Sequence, residues 1–125
     1  MRPLATHVLL ELQECDVLLL NDLSHVRLLL LDAARLISSQ MVGEIFHQFQ
    51  PQGVTGIIGI AESHISIHTW PEYGYAAVDI FTCGPVVQLE RVEHSLIRGF
   101  VCRRPLVLVV KRGSLMGQQA VKTSG

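Results

Sequence analysis

Residues 54–83 read VTGIIGIAESHISIHTWPEYGYAAVDIFTC, and this stretch decides the fold. It contains runs rich in β-branched and aromatic residues at 54–62, 64–70 and 75–83, separated by short breaks. The pattern predicts consecutive strands. The first run is almost entirely apolar, which favours a strand that is buried on both faces.

The flanking sequence supplies the remaining elements of one domain. Its apolar spacing predicts two helices, the first beginning at Asp22 or Ser24 and ending near Ser39, the second running from Val86 to about Phe100. Further strands are expected at 6–15, 41–50 and 105–111. The turn residues Pro51-Gln52-Gly53 join 41–50 to 54–62, Gly84-Pro85 ends 75–83, and the tail from Gly113 is expected to be loose.

The resulting order is β-α-β-β-β-β-α-β, which predicts an α+β fold. We expect a two-layer sandwich in which two helices cover one face of a mostly antiparallel sheet. The opposite face of the sheet then needs a cover of its own. A second copy of the same sheet is the simplest cover, so the sequence predicts a homodimer in which the two sheets pack together.

Composition limits the classes of function. A chain of 125 residues is one domain, 1–125, and a net charge of −1 argues against a nucleic-acid binder. The sequence shows no signal peptide and no apolar run of the roughly 20 residues that a membrane span needs. Cys15, Cys83 and Cys102 lack metal-ligand spacing. We therefore predict a cytoplasmic protein with reduced thiols, no metal site and no membrane contact.

Residues with chemical potential are concentrated between 62 and 83. This segment holds a serine, two histidines, acidic residues, a tryptophan and a cysteine. Taken singly, each has an ordinary structural explanation, such as a turn hydroxyl or a core anchor. A Ser-His-Asp hydrolase is disfavoured because the GxSxG elbow is absent.

Taken together, the run ESHISIHTWPEYGYAAVDIFTCG at 62–84 resembles the signature of the bacterial S-adenosylmethionine decarboxylase proenzyme family. The resemblance covers about residues 4–84 well and the C-terminal third only in layout. Positions outside the run that also resemble the family are His7, Glu11, Cys15, Asp16, Asn21, Phe46, His47, Phe49, Pro51 and Gly53–Gly56.

The resemblance implies a self-cleaving enzyme. The cut falls between Glu62 and Ser63 and gives chains 1–62 and 63–125, with Ser63 converted to a pyruvoyl group. Loss of CO2 from an amino acid leaves a carbanion, and a ketone that forms a Schiff base with the substrate amine can delocalise that charge. An external cofactor is then unnecessary, and the expected partner is a small amino-acid-type substrate.

The family's roles carry over onto matching residues. His68 would be the base in processing, supported by Thr55, which stands where the family usually has serine. Cys83 would reprotonate the substrate carbon after CO2 leaves. Phe49 resembles the residue that stacks the adenine, and Glu72 resembles the carboxylate that binds the ribose hydroxyls. Trp70 would either line the pocket or only pack.

Strand geometry adds an independent inference. Ser63 and His68 are five residues apart, so on one regular strand they point to opposite faces, about 16 Å apart. We therefore predict that Ser63 and Cys83 come from one subunit and that Phe49, Thr55, His68 and Glu72 come from its partner. The resemblance likewise implies active sites shared across a homodimer.

One departure from the family leaves the substrate open. Gln13 stands near a position where the family usually carries an aromatic that would stack the adenine. Loss of one stacking surface weakens nucleoside binding by about 5- to 150-fold, at roughly 1–3 kcal/mol per base, or indicates a substrate without adenine. L-Arginine or L-ornithine therefore remains an alternative substrate, and an uncleaved pseudoenzyme partner remains an alternative function.

Overall fold

The computed structural model describes residues 3–83 and 88–114, and within them it forms one antiparallel sheet with helices packed on one face. The strands are β1 (Ala5–Gln13), β2 (Met41–Gln48), β3 (Val54–Ile60), β4 (Ser63–Trp70), β5 (Tyr75–Cys83) and β6 (Arg104–Arg112). The helices are α1 (Val17–Leu20), α2 (Leu23–Ile37) and α3 (Leu89–Gly99). The predicted fold class is confirmed.

Helix α2 begins where its capping residue predicts. The Asp22 carboxylate accepts a hydrogen bond from the His25 backbone N–H at 3.2 Å, which satisfies one of the free donors of the first turn. The apolar residues at helical spacing then face the sheet, and Val26, Leu30, Ala33 and Ala34 are fully buried. The sequence pattern therefore located both the start and the buried side of this helix correctly.

The short helix α1 was not predicted. It is one turn long and is capped by Asp16, whose carboxylate accepts from the backbone N–H groups of Leu18 and Leu19. A segment this short carries no periodic pattern. Its buried residue is Leu20, whose carbonyl accepts from the Thr69 hydroxyl at 2.9 Å. The helix thereby contacts the end of β4.

The strand order is β2-β3-β4-β5-β1-β6, and each neighbouring pair is antiparallel. Strands β2 to β5 follow the chain, whereas β1 lies between β5 and β6. The first strand of the chain therefore pairs on both sides with strands from the C-terminal half. Gly56 in β3 leaves room for the Phe46 ring of β2, which would come within 2.2 Å of an added Cβ.

The expectation that 54–62 is buried on both faces is wrong for a single chain. Burial along β3 alternates: Val54, Gly56, Ile58 and Ile60 face the helices, while Ile57 is 43% exposed on the other side. The physical reason is that both long helices pack on one face of the sheet. We call the opposite side the uncovered face.

The uncovered face carries well-exposed large apolar side chains on four strands. By strand register, the residues there that are well exposed are Ile45, Ile57, Trp70, Leu106, Leu108 and Val110. Strand β6 is exposed along its whole length because the helices do not reach over it. Contiguous exposed apolar surface of this kind is typical of an interaction surface.

Two expectations fall partly or wholly outside the described residues. The first is the connection from β5 to the second helix, with a break at Gly84-Pro85 and a helix start at Val86. The second is the loose tail, of which the part beyond residue 114 is not described. The described part of that helix, α3, ends at Gly99, with Val92 and Leu96 buried. Among the described residues, the structure has no helix of the length and hydropathy that crossing a bilayer requires.

Candidate active site

The expected cleavage point lies in a tight turn between β3 and β4. Ile60 pairs with Ser63 across the hairpin, so Ala61 and Glu62 alone form the connection, and both are exposed. Glu62 has a φ of +62°, in the left-handed region that disfavours residues with a side chain. Backbone strain is therefore located at the residue whose carbonyl precedes Ser63.

Ser63 begins β4 and is half-buried. By strand alternation it shares the helix-facing side with Ile65 and Ile67, which are fully buried. Its Oγ accepts a hydrogen bond from the Cys83 backbone N–H at 3.3 Å. Cys83 is the last residue of β5, so its backbone lies beside the serine, while its side chain is exposed and by strand alternation belongs to the uncovered face.

A buried hydroxyl lies next to this serine. His64 pairs with Phe81, so one step along the same ladder Ser63 lies opposite Thr82. The Thr82 side chain is 3% exposed, and its Oγ1 has no hydrogen-bond partner among the described residues. Such orphaned buried hydroxyls are rare in folded proteins, and sequence reasoning did not single this one out.

The other predicted site residues meet in a separate cleft of about 320 Å³. The residues that line it are Phe49, Gln52, Gly53, Thr55, His68, Thr69, Trp70 and Glu72. Thr55 pairs with His68 across β3 and β4, and the threonine Oγ1 lies 2.9 Å from the imidazole Nδ1. The structure thus brings together five residues that the sequence selected, and it adds Gln52, Gly53 and Thr69.

Aromatic rings line the walls of the cleft. Trp70 is 39% exposed and stacks on Tyr75 with ring centroids 5.4 Å apart. Phe49 is also well exposed and meets the His47 ring edge-on at 4.5 Å. Glu72 lies in a 3-10 turn directly after Trp70 and is exposed. Trp70 therefore lines this cleft and does not only pack against neighbouring residues.

Asn21 positions the loop that carries Phe49, and its role was missed. The Asn21 Oδ1 accepts from the Gly53 backbone N–H at 2.9 Å and from the Gln48 side-chain amide at 3.0 Å. Gly53 has a φ of +107°, which favours glycine at this turn. Asn21 had been noted only as a position that resembles the family, and no local pattern connects it with residues 48–53.

Replacing Asn21 with alanine is expected to raise KM for the substrate about tenfold while changing kcat little. The change leaves the Gly53 N–H and the Gln48 amide without their acceptor, a loss of about 1–3 kcal/mol. Asn21→Asp keeps an acceptor oxygen and should restore KM. Steady-state kinetics with thermal denaturation on both variants checks this, and equal loss of kcat in both would contradict a positioning role.

Ser63 and His68 do not meet within one chain. They lie five residues apart on β4, with Ser63 on the helix-facing side and His68 exposed on the uncovered face. At about 3.3 Å per residue the separation is about 16 Å. One chain therefore presents two half-sites, a serine–cysteine pair at one end of the hairpin and the cleft at the other.

Polar pairs occupy the middle of the uncovered face. The His7 Nε2 lies 3.0 Å from the Asp79 carboxylate, and the Tyr75 hydroxyl donates to Glu11 at 2.6 Å. Burial, together with the hydrogen bond to Glu11 and the charge of that carboxylate, raises the pKa of Tyr75 to about 12. The phenol therefore stays protonated and remains a donor throughout the neutral range.

The fold is shared with a decarboxylase of known structure. A crystal structure of the adenosylmethionine decarboxylase from Aquifex aeolicus VF5 matches with a TM-score of 0.85 at 33% identity, covering 94% of this chain and 98% of that one. The chain belongs to the S-adenosylmethionine decarboxylase family, whose model matches residues 6–113. Enzymes of this family act on a small molecule.

Curated relatives agree in name and length. A Moorella thermoacetica protein named S-adenosylmethionine decarboxylase proenzyme is 50% identical over 120 residues, which is 96% of both chains. One of the same name from Thermodesulfovibrio yellowstonii is 45% identical over 113 residues, covering 90% of this chain and 84% of the relative. The similarity thus spans both half-sites and extends into the C-terminal third.

Proposed function

We propose that this protein is a self-processing decarboxylase of S-adenosylmethionine. One observation carries the proposal: Glu62, directly before Ser63, lies in an exposed two-residue turn with its backbone in the left-handed region. Relatives at 50% and 45% identity are named proenzymes, which supports cleavage of the chain. The product would be decarboxylated S-adenosylmethionine, the aminopropyl donor for spermidine.

Processing begins at Ser63. Its hydroxyl attacks the Glu62 carbonyl carbon, the peptide C–N bond breaks and an ester links the two halves. A base then removes the α-proton of residue 63, and the Glu62 carboxylate leaves. Addition of water and loss of ammonia convert residue 63 to a pyruvoyl group. Chains 1–62 and 63–125 stay together because β3 and β4 remain paired from Thr55–His68 to Ile60–Ser63.

The surroundings of Ser63 suit a carbonyl group. When present, a pyruvoyl group supplies a ketone that accepts the electrons released as CO2 leaves. The side chain at position 63 is half-buried opposite Thr82, whose buried hydroxyl no other described group uses. That hydroxyl can donate to an oxygen at position 63. The backbone of Cys83 lies beside it, and we assign the exposed Cys83 thiol to the return of a proton to the substrate carbon.

The cleft supplies the binding groups. Phe49 and Trp70 offer flat apolar surfaces for a base, and the Glu72 carboxylate can accept hydrogen bonds from two neighbouring hydroxyls. His68, held by Thr55, provides the base for processing. These residues and Ser63 come together only if two chains contribute, so we assign Ser63 and Cys83 to one subunit and Phe49, Thr55, His68, Trp70 and Glu72 to its partner.

The uncovered face supports the same arrangement. Its apolar residues reach from Ile45 on β2 to Leu108 on β6, and the most exposed of them, Ile45, is 70% exposed. Packing this face against its copy would bury that surface and form a homodimer with two active sites. An isologous contact repeats each interaction twice, so both sites would be equivalent.

Arginine and ornithine are the weaker substrates on these observations. The named relatives and the solved structure refer to S-adenosylmethionine decarboxylases. Gln13, the departure that favoured a basic amino acid, is exposed at the end of β1 and does not line the cleft. The cleft instead presents two aromatic rings, a feature suited to a nucleoside. An uncleaved pseudoenzyme is likewise disfavoured by the proenzyme names.

The deciding experiment compares CO2 release from carboxyl-labelled S-adenosylmethionine, L-arginine and L-ornithine with the same purified protein. We expect release from S-adenosylmethionine, with a denaturing gel showing two fragments near half of 13.9 kDa. Preference for either basic amino acid would reverse the substrate assignment but keep the reaction class. An uncut chain without activity would favour the pseudoenzyme.

Replacing Phe49 with alanine is expected to raise KM for S-adenosylmethionine about 5- to 150-fold, because one stacked base contributes roughly 1–3 kcal/mol. Self-cleavage should proceed normally, since Phe49 lies beside Thr55 and His68, at the opposite end of β3 and β4 from Glu62 and Ser63. Leu28→Ala, at an exposed position of α2, is the matched control and should leave KM unchanged. A normal KM in the Phe49 variant would exclude stacking at this residue.

A further inference from the structure

Two of the three cysteines lie where the N-terminal half of the chain crosses the C-terminal half. The Asp16 backbone N–H donates to the Phe100 carbonyl at 2.9 Å, and the Arg103 N–H donates to the Glu14 carbonyl at 3.3 Å. These two bonds hold the segments 14–16 and 100–103 side by side. Cys15 lies between Glu14 and Asp16 on one segment, and Cys102 lies between Phe100 and Arg103 on the other.

The two thiols occupy neighbouring positions in this crossing. The Cys15 thiol donates to the Leu12 carbonyl at 3.5 Å, and the Cys102 thiol donates to the Gln13 carbonyl at 3.1 Å. Their acceptors belong to consecutive residues of β1. Cys15 is part of the buried core and Cys102 packs against that core. Burial raises the pKa of the Cys15 thiol, and the nearby Cys102 raises it further.

Neither thiol has a part in the proposed reaction. Cys83, the cysteine assigned to catalysis, is exposed at the end of β5 beside Ser63. Cys15 and Cys102 therefore form a separate pair. One member is almost fully buried at 8% exposure, and the other is open enough to meet a reagent. This is the arrangement of a resolving thiol behind an accessible one.

We propose that Cys15 and Cys102 form a reversible disulfide that joins chain 1–62 to chain 63–125. The bond itself needs only the geometry described above, and its role as a link between two chains rests on the proposed cleavage. After cleavage, no peptide bond connects β1 with its neighbours β5 and β6. A Cys15–Cys102 bond would restore one covalent connection at that junction.

The oxidant is a small disulfide, such as oxidised glutathione. The Cys102 thiolate attacks one sulfur of this disulfide, the small S–S bond breaks and one molecule of free thiol leaves. Cys15 then loses its proton and attacks the Cys102 sulfur, which releases the second thiol and forms the Cys15–Cys102 bond. The protein loses two protons and two electrons, and the small disulfide gains both. Because the pKa of Cys15 is raised, closure should become faster as the pH rises above neutral.

The test treats the folded wild-type protein with oxidised glutathione and measures its mass after denaturation without reductant. We expect one species equal to the sum of both chains minus two hydrogens, which separates into two bands once reductant is added. Peptide mapping should place the bond between Cys15 and Cys102. A stable glutathione adduct on Cys102, a bond that involves Cys83, or thiols that all stay reduced would overturn the proposal.

Three variants separate this outcome from the proposed cleavage. Cys102→Ser, at the partly exposed position, should show two bands with and without reductant, whereas Cys83→Ser should keep the link. In Ser63→Ala, which stays whole, oxidation should still remove two hydrogens while the gel shows one band in both conditions. If the wild-type protein also loses two hydrogens but never separates into two bands, the disulfide stands and self-cleavage fails.

Discussion

Replacing Ser63 with alanine leaves the protein as one chain of 13.9 kDa and reduces decarboxylation by roughly 10⁴-fold or more, the size of effect seen when a nucleophile is removed. Alanine has no oxygen to attack the Glu62 carbonyl, so neither the cut nor the ketone can form. The fold should survive, because among residues 3–83 and 88–114 the Ser63 hydroxyl makes only one hydrogen bond, a long one of 3.3 Å from the Cys83 backbone N–H.

Intact-mass measurement together with CO2 release checks this result. Ser24→Ala, in the first turn of α2, is a suitable control because that serine is exposed and far from the hairpin, and it should be cleaved and fully active. If the Ser63 variant were still cut between residues 62 and 63, the attacking oxygen would have to come from elsewhere. If it stayed whole but retained activity, the pyruvoyl mechanism would be wrong.

Combining two inactive variants in one dimer should restore activity. Consider a dimer of one Ser63→Ala chain and one His68→Ala chain. One of its sites combines the intact serine of the His68→Ala chain with the intact histidine of the Ser63→Ala chain. The other site carries both substitutions. Heterodimers isolated with two different tags should therefore show about half of the wild-type activity, because one of two equivalent sites is complete. Each homodimer alone should be inactive.

A second pair of variants provides the matched control. Ser63→Ala combined with Cys83→Ser should stay inactive, because both residues belong to the same half-site and each site then lacks one of them. Processing of the Cys83→Ser chain should still proceed in that heterodimer, which a denaturing gel will show. Activity in this pair, or its absence from a stable Ser63/His68 pair, would contradict a site shared between subunits.

Local sequence patterns predicted most elements but not their arrangement in space. Asp22 and the spacing of Val26, Leu30, Ala33 and Ala34 were sufficient to locate α2, because capping and periodicity are properties of neighbouring residues. The insertion of β1 between β5 and β6 depends on pairing between residues about 70 to 100 positions apart, such as His7 with Phe81 and with Val110. No local pattern encodes such a pairing.

The candidate site likewise contains residues that local sequence identified and residues that only the folded chain reveals. The residues that make it chemically recognisable, from Glu62 to Cys83, lie in one continuous stretch and were all selected from the sequence. The residues that support it were missed, because Asn21, Thr69 and Thr82 act through hydrogen bonding or burial that only the folded chain reveals. The error on β3 had a similar cause: an apolar run shows that surface must be buried, but it does not say by what.

The place of β1 in the sheet bears on when the protein matures during its synthesis. β1 is synthesised before both of its partners, since β5 and β6 come later in the chain. Ser63 is held by the backbone of Cys83 at the end of β5, whose pairing with β1 runs from Ala5–Cys83 to Leu12–Ala76. The proposed cleavage point therefore acquires its full surroundings only once residues 75–83 have been synthesised and have paired with β1. Self-cleavage would then follow this long-range pairing rather than begin as soon as Ser63 has been made.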